Sequence, residues 1–269
     1  MRIKVLAFAA SLFLISNSSA GIPQSPSSVI TGPQRDLQAV SLLQKSFVAM
    51  GGPGGSSLSS VLMQGQMTTE MGTKQVIGSL VIKCTGPDIC RQDFTSDASS
   101  HSTVFNVDRG MEVVDGSTIR LPIHSLINHP IKYFPVFTEL AAWMDPNLSI
   151  VYVGEESFNG TPVHHIHVEK YLPGLDSKMS ALYSKVSGTE LYLDTTTLNL
   201  VKRSQQVPIF QDMGHTVQVE QLFSEYQVQN GFSVPHEISV FLNGNKFADI
   251  QITTVTFNSG VSSSDFEVQ

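Results

Sequence analysis

Residues 232–257 have the sequence FSVPHEISVFLNGNKFADIQITTVTF, in which two alternating apolar–polar runs flank Asn243-Gly244. Alternation with a period of two predicts strands that bury one face, and Asn-Gly between such runs favours a two-residue hairpin turn. The apolar residues of the first run that share a face are Val234, Ile238, Val240 and Leu242. Those of the second run divide between opposite faces, Ala248, Ile250 and Ile252 against Val255 and Phe257. The change of phase near Thr253-Thr254 predicts a β-bulge, as a curved sheet needs.

Hairpin signals continue upstream of this segment. Asn159-Gly160 and Asn230-Gly231 also lie between alternating runs, and other breaker residues separate most of the remaining runs. Strands are predicted near residues 61–69, 75–84, 90–95, 103–107, 111–115, 148–158, 163–171, 191–193, 198–206, 216–228, 232–242 and 246–257. Consecutive hairpins predict an antiparallel sheet, and we expect one domain over residues 33–269, since β-rich units of this length commonly form a single domain.

The start of that domain has a different period. Residues 34–50 place apolar side chains at helical spacing, namely Leu37, Val40, Leu43, Phe47 and Met50. Pro33 suits the first turn of such a helix, and Gly51 suits a left-handed cap at its end. The spacing therefore predicts one amphipathic helix before the first strand.

Residues 121–146 interrupt the strand pattern with several aromatic residues and with prolines, among them Pro122, Pro130 and Pro135. We predict a lid-like insertion of short helices here, because proline ends or kinks regular elements. Residues 137–144 are predicted to form one helical segment of it. Further on, residues 172–186 are predicted to form a loop or a short helix.

Residues 1–20 have the three parts of an export signal. Two cations precede an apolar run from Val5 to Ile15, and small residues end the segment at Ala20. The run is too short to span a membrane, and no later run approaches the necessary length. We therefore predict a periplasmic or secreted protein without a membrane span, in which a flexible lead at 21–32 follows the signal.

The chain contains two cysteines, Cys84 and Cys90, with turn residues between them. An even pair in an oxidising compartment predicts a disulfide, which here would close one hairpin. The alternative is a pair of free thiols.

Charge and motifs exclude several classes of function. The 23 acidic residues against 16 basic ones give a formal net charge of −7, and such a surface repels nucleic acid. The sequence has no glycine-rich nucleotide-binding motif and no Gly-x-Ser-x-Gly elbow. No cofactor is implied, a non-enzymatic protein is predicted, and the sequence does not identify a protein partner.

The last third of the chain contains segments with a familiar arrangement. They are Leu191-Tyr192-Leu193-Asp194, Phe223-Ser224-Glu225-Tyr226, Gly231-Phe232-Ser233-Val234-Pro235, Val255-Thr256-Phe257-Asn258 and Asp265-Phe266. Together with the order of signal, helix, hairpins, insertion and closing hairpins, they resemble the periplasmic lipoprotein-carrier superfamily (LolA/LolB-like). The resemblance implies a strongly bent antiparallel sheet over helices, with acyl chains held in its concave face.

Three polar residues of one predicted strand have the spacing of metal ligands. His165, His167 and Glu169 share a face, where alternate side chains lie about 6.5–7 Å apart. His-x-His on a strand is a metal-ligand spacing, and a glutamate can be a third ligand. His164 belongs to the opposite face, and no further cysteine or histidine motif marks another ligand. We favour a polar outer face and predict no metal.

The predicted ligand-binding residues come from the helix and the insertion. They are Phe47, Phe134, Phe137, Trp143 and Met144. Methionine and aromatic side chains adapt to flexible apolar chains, so these residues can line or gate a cavity. The alternative is a packed plug at one end of the sheet.

These observations predict an exported α+β protein, with a strongly bent antiparallel sheet (an open or half β-barrel) covering one or two helices. The predicted function is non-catalytic binding of a lipid or acylated ligand in a hydrophobic cavity. One alternative is an envelope scaffold or sensor with a packed interior. A lesser alternative is a metal-assisted envelope enzyme built on His165 and His167.

Overall fold

A computed structural model describes residues 32–71, 74–85, 89–107, 109–121, 140–209, 212–258 and 261–267. The chain divides into Met1–Ile30 and Thr31–Gln269, and all of the described residues belong to the second unit. The predicted signal at 1–20, all but the last residue of the lead, and residues 122–139 of the predicted insertion lie outside the described residues.

The thirteen strands of the described residues form one antiparallel sheet, with the order β6-β5-β4-β3-β2-β1-β13-β12-β11-β10-β9-β8-β7. The strands are β1 Val61–Met71, β2 Lys74–Cys84, β3 Ile89–Thr95, β4 Ser100–Asn106, β5 Arg109–Val114, β6 Ser117–Leu121, β7 Leu148–Phe158, β8 Thr161–Lys170, β9 Thr189–Asp194, β10 Leu200–Ile209, β11 Asp212–Gln229, β12 Phe232–Leu242 and β13 Asn245–Phe257. The sheet is curved, and over the described residues it is open, because β6 and β7 form its two edges. Pairing of β1 with β13 joins two meanders, β1–β6 and β7–β13, into this one sheet.

The three predicted Asn-Gly turns are confirmed. In each, both residues have the positive φ that a type I′ hairpin requires, with asparagine near 50° and glycine near 80°. Asp115-Gly116 forms a further turn of this kind, with φ values of 48° and 83°. It leads into β6, a short strand with four exposed residues that the sequence prediction missed because edge strands lack apolar alternation.

The predicted bulge near Thr253-Thr254 is also confirmed. Gln64 of β1 pairs with Thr254, whereas the next residue, Gly65, pairs with Ile252, so Thr253 is the extra residue. A Cβ at Gly65 would lie 2.0 Å from the Gln251 carbonyl oxygen, so this crossing point requires glycine. Because of this extra residue, Val255 and Phe257 lie on the same face of the sheet as Ile252.

Among the described residues, two α-helices accompany the sheet, α1 at Leu37–Ala49 and α2 at Ser177–Ser187. The second lies in the segment predicted as a loop or short helix and ends one residue beyond it. The first starts later than predicted, because the Asp36 carboxylate caps it by accepting hydrogen bonds from the Gln38 and Ala39 N–H groups. Residues 34–36 instead run beside β7, where Ile150 exchanges backbone hydrogen bonds with Gln34 and Asp36. Pro33 therefore precedes the helix rather than occupying its first turn.

The buried face of α1 also differs from the prediction at one end. Leu37 is 85% exposed, whereas Leu43 and Met50 are fully buried as predicted. Gly51 has a φ of 89° and ends the helix as predicted. A Cβ there would lie 2.2 Å from the Gly231 carbonyl oxygen, so glycine also permits the close approach of the β11–β12 turn.

We call the sheet face that packs against α1 the inner face. Its main core cluster unites α1 with both meanders and includes Leu43, Met63, Leu80, Ile150, Leu191 and Ile250. The predicted disulfide is confirmed: Cys84 and Cys90 are bonded and pair directly across β2 and β3 on this face. On the opposite, outer face, Lys83 and Arg91 contact Asp265 of the short 3-10 helix Ser263–Phe266. No helix in the described ranges is both long and apolar enough to cross a membrane.

Candidate ligand-binding cavity

An open cavity of about 340 Å³ lies on the inner face, at the strand ends near the turns 115–116 and 243–244. This volume is within the range of small-molecule binding sites. Strands β1 and β3–β5 of the first meander and β11–β13 of the second supply its described lining. The cavity therefore lies where the two meanders meet.

One wall of the cavity is apolar. Its described residues come from β11, β12 and β13 and are Val219, Val240, Leu242, Phe247, Ala248 and Ile250. Strand register brings them together, since Val240 pairs with Ala248 and Ile238 pairs with Ile250 on the same face. Met67 of β1 and Phe94 of β3 continue the apolar surface.

The opposite wall is polar, although its residues lie on the same face of the same sheet. Gln92, Thr103 and Glu112 are successive partners across β3, β4 and β5, so their side chains form one row. The next row toward the turns contains His101, whose Nε2 lies 3.5 Å from the Thr103 hydroxyl. Asp115 at the rim accepts a hydrogen bond of 2.9 Å from the Ser100 N–H.

Buried polar side chains adjoin the apolar wall. Arg203 of β10 is 3% exposed, and its guanidinium donates a hydrogen bond of 3.3 Å to the Gln221 side chain of β11. Gln221 in turn pairs with Val240, a residue of the apolar wall. Gln205 is buried on the same face. None of the three lines the cavity, so they belong to the interior beside it.

Of the residues predicted from sequence to bind ligand, the three that are described do not line this cavity. Phe47 of α1 and Trp143 of the 3-10 helix Ala141–Met144 meet edge to face, with ring centroids 6.5 Å apart. Met144 is 52% exposed, and Phe134 and Phe137 lie outside the described residues. The structure thus brings two of the five together, and their role in binding stays a prediction.

The apolar wall could have been found by sequence reasoning, since Val240 and Leu242 were predicted to share one face of their strand, and Ala248 and Ile250 one face of the next strand. The informative signal was a polar row in the inner face of β3–β5, where Gln92, Thr103 and Glu112 follow Cys90, Phe105 and Gly110. Beyond this row the face is apolar again at Phe94 of β3 and Val114 of β5. A strand face that changes polarity before its strand ends indicates an opening in the core.

A second cluster of titratable groups lies on the outer face of β7–β9. His165 approaches Glu156 through Nδ1 at 2.7 Å and Glu190 through Nε2 at 2.8 Å. His167 approaches Glu190 through Nδ1 at 2.7 Å and Glu169 through Nε2 at 3.4 Å. Every ring nitrogen thus faces a carboxylate, which is the arrangement of two protonated imidazoles.

Electrostatics within this cluster follow from those contacts. Burial by itself would lower the pKa of His165, but hydrogen bonds to Glu190 and Glu156 outweigh it and raise that pKa. The hydrogen bond to Glu190 raises the pKa of His167 against the effect of burial. Burial opposes ionisation of Glu190, yet the two histidines hold its pKa at about 2. Burial, with nearby carboxylates, raises the pKa of Tyr192, which stacks on His165, to about 12.

The cluster confirms the predicted placement of His165, His167 and Glu169 on one face, with His164 opposite. Glu169 also accepts a hydrogen bond from the Ser184 hydroxyl of α2. Among the described residues, no group of three or more histidine, cysteine, aspartate or glutamate side chains is arranged to hold a metal ion. The contacts describe an ion-pair network.

No family model matches this chain, and no curated protein matches it in sequence. Solved structures do match. One is a protein domain from Vibrio parahaemolyticus described as outer membrane lipoprotein-sorting, with a TM-score of 0.54, 12% identity, and coverage of 85% of this chain and 96% of that one. Another is a LolA superfamily protein from Nitrosomonas europaea, with a TM-score of 0.54, 11% identity and coverage of 86% and 97%.

The fold is LolA-like. This confirms the resemblance predicted from the closing strands. A DUF1329 family protein from Desulfovibrio piger shares the LolA-like fold, with a TM-score of 0.56, 12% identity, and coverage of 86% of this chain and 96% of that one. Identities this low establish the architecture of the sheet and helices and transfer no residue's role.

Proposed function

We propose that this protein binds a lipid or an acylated ligand, without catalysing a reaction, in the cavity on the inner face of a LolA-like half-barrel. The observation that supports the proposal is the open, apolar-walled cavity where the two meanders meet. Over the described residues this part of the face lies open, whereas α1 covers the same face near Ile150.

The energetics suit an alkyl chain. Each methylene group that leaves water for an apolar wall contributes about 0.8 kcal/mol. Val240, Leu242 and Ile250 offer branched aliphatic surface of this kind. Uptake and release would require only a difference in buried alkyl area between two sites, so no catalytic residue is needed.

The aromatic residues near α1 are proposed to act as a gate for the ligand. Trp143 packs against Phe47, and its indole N–H is buried without a hydrogen-bond partner among the described residues. A buried unsatisfied donor costs free energy, so this contact can rearrange at little loss. We propose that Phe47, Trp143 and Met144, with Phe134 and Phe137, respond to ligand entry.

The cell envelope is the proposed location. The export signal predicted at residues 1–20 and the Cys84–Cys90 disulfide both suit an oxidising compartment. The similar structures from Vibrio and Nitrosomonas are an outer membrane lipoprotein-sorting domain and a LolA superfamily protein. Their similarity to this chain supports the class of ligand that we propose for it.

Native mass spectrometry of protein purified without detergent tests the proposal directly. A retained lipid would appear as added mass that is lost on organic extraction. For the extracted protein, calorimetric titration with a twelve-carbon lysophosphatidylcholine should show saturable binding, and the fluorescence of Trp143 should shift.

Val240→Asp should weaken this binding, because it places an unpaired charge on the apolar wall. Val228→Asp is the matched control, since Val228 is exposed on β11 away from the cavity. If the protein retains no added mass and lysophosphatidylcholine neither binds nor shifts the fluorescence, the proposal fails. The scaffold or sensor alternative would then take its place.

A further inference from the structure

The two walls of the cavity differ in charge as well as in polarity. The charged or titratable side chains among its described lining residues are Glu112, Asp115 and His101. No lysine or arginine lines it within the described ranges. All three groups lie on the β4–β5 wall, opposite the aliphatic residues of β11–β13.

Glu112 is placed to act on a bound molecule. It is partly buried on the inner face, between Thr103 on one neighbouring strand and Ile119 on the other. No cation among the described residues forms an ion pair with it. Its carboxylate therefore projects into the cavity beside apolar surface, where water screens a charge less than it does on an exposed face.

The nearest buried cation on the apolar side does not offset this charge within the cavity. Arg203 lies two strands from Val240 and is almost fully buried. Its guanidinium is engaged with Gln221 and does not line the cavity. A bound headgroup would thus meet carboxylates, a histidine and hydroxyl or amide oxygens.

We propose that the cavity selects amphiphiles by headgroup charge, taking an alkyl chain with a cationic, hydrogen-bond-donating headgroup and rejecting an anionic one. This inference rests on the proposed function and deepens it. The alkyl chain lies along Val240 and Ile250, and the headgroup lies against Glu112 and Asp115. The orientation follows from the walls, because each end of an amphiphile meets its complementary surface in one direction only.

Three probes with one alkyl chain isolate the headgroup: dodecylamine, dodecanol and dodecanoate, each titrated below its critical micelle concentration. At pH 8 the amine is mostly protonated and the acid is ionised. We expect dodecylamine to bind about tenfold or more tightly than dodecanoate, with dodecanol between them. A higher salt concentration should reduce the difference in affinity between dodecylamine and dodecanoate.

Glu112→Gln should reduce the preference for the amine, and Asp115→Asn should do so to a smaller extent at the rim. Asparagine tolerates the positive φ of residue 115, so this second variant keeps the turn. Glu70→Gln is the control, because it removes the same charge from an exposed residue of β1 that does not line the cavity. It should leave the preference unchanged.

The outcomes separate this inference from the proposed function. Equal binding of the three probes, or tighter binding of dodecanoate, overturns the charge selection and leaves alkyl binding intact. A preference that survives Glu112→Gln and Asp115→Asn unchanged overturns the assignment to this wall. If none of the probes binds, dodecanol included, both the inference and the proposed function are wrong.

Discussion

One region of the inner sheet face packs against a helix, whereas another region of the same face borders a cavity. Near Ile150, α1 lies against the inner face, and Leu43 and Ala39 are completely buried there. Near Val240, the same face has residues of similar apolar character, yet the described structure leaves a cavity over them. The comparison shows that an apolar strand face does not by itself indicate a packed core. Whether it becomes core or binding surface depends on what lies above it.

The largest expected effect is in the packed region. Leu43→Ala should lower the free energy of unfolding by about 2–5 kcal/mol, because it leaves a void between α1 and the sheet. Chemical denaturation measures the change. Leu37→Ala, on the same helix but exposed, should change stability by less than about 0.5 kcal/mol. Equal losses in the two variants would contradict the assignment of the buried face of α1.

A smaller loss is expected from the disulfide, which lies on the inner face at the end of β2–β3 opposite to Phe94. Replacing Cys84 and Cys90 by alanine should cost about 2 kcal/mol, since the closed loop is short. Alkyl binding should persist because Phe94, at the other end of β3, keeps its place. Thiol titration of the unfolded, unreduced protein should find no free thiol. Two free thiols would contradict the Cys84–Cys90 disulfide.

Two buried alanines compare the regions most closely. Ala39→Leu forces extra volume under α1 and should cost about 1–3 kcal/mol. Ala248→Leu extends into the cavity and should change the free energy of unfolding by less than about 1 kcal/mol while abolishing lysophosphatidylcholine binding. Thermal denaturation with calorimetric titration checks both. A loss at Ala248 as large as that at Ala39 would mean that the cavity is not available space.

The smallest expected effect concerns the outer face, where the stabilising groups titrate. The pKa values of His165 and His167 lie above the ordinary 6.5, so their contribution to stability is complete below that pH and is lost as pH rises through the raised values. The pKa of Glu190, held at about 2 against an ordinary 4.5, adds stability above pH 4.5 that is lost on acidification toward pH 2. The contribution of this cluster to stability is therefore greatest between about pH 4.5 and pH 6.5.

Glu190→Gln should cost about 1 kcal/mol near pH 6, a value kept small because a third of the side chain is exposed. The cost should be smaller at pH 9 than at pH 6, because the two histidines lose protons as pH rises through their raised pKa values and their attraction to Glu190 weakens. Glu155→Gln, which removes a more exposed carboxylate 3.6 Å from His164, is the control and should cost less at both pH values. A cost that does not vary with pH would show that the histidines are neutral throughout.

Local sequence by itself determined every described strand except β6, the Asn-Gly hairpin turns and the bulge at Thr253. It did so because alternation, Asn-Gly turns and a change of phase are properties of neighbouring residues. It also identified the Cys84–Cys90 pair and the common face of His165 and His167. It failed at α1, where Pro33 was placed inside the helix, because pairing of residues 34–36 with β7 is a long-range contact.

Only the tertiary structure decided where the core stops. Pairing of β1 with β13 joins the polar row of Gln92, Thr103 and Glu112 to the same cavity as Val240 and Ile250. These two sets are more than a hundred residues apart in the chain, and no local pattern relates them. The apolar or polar character of each wall follows from the sequence of the strands that form it. The position of the cavity between the walls follows from the order of the strands in the sheet and from the extent of α1.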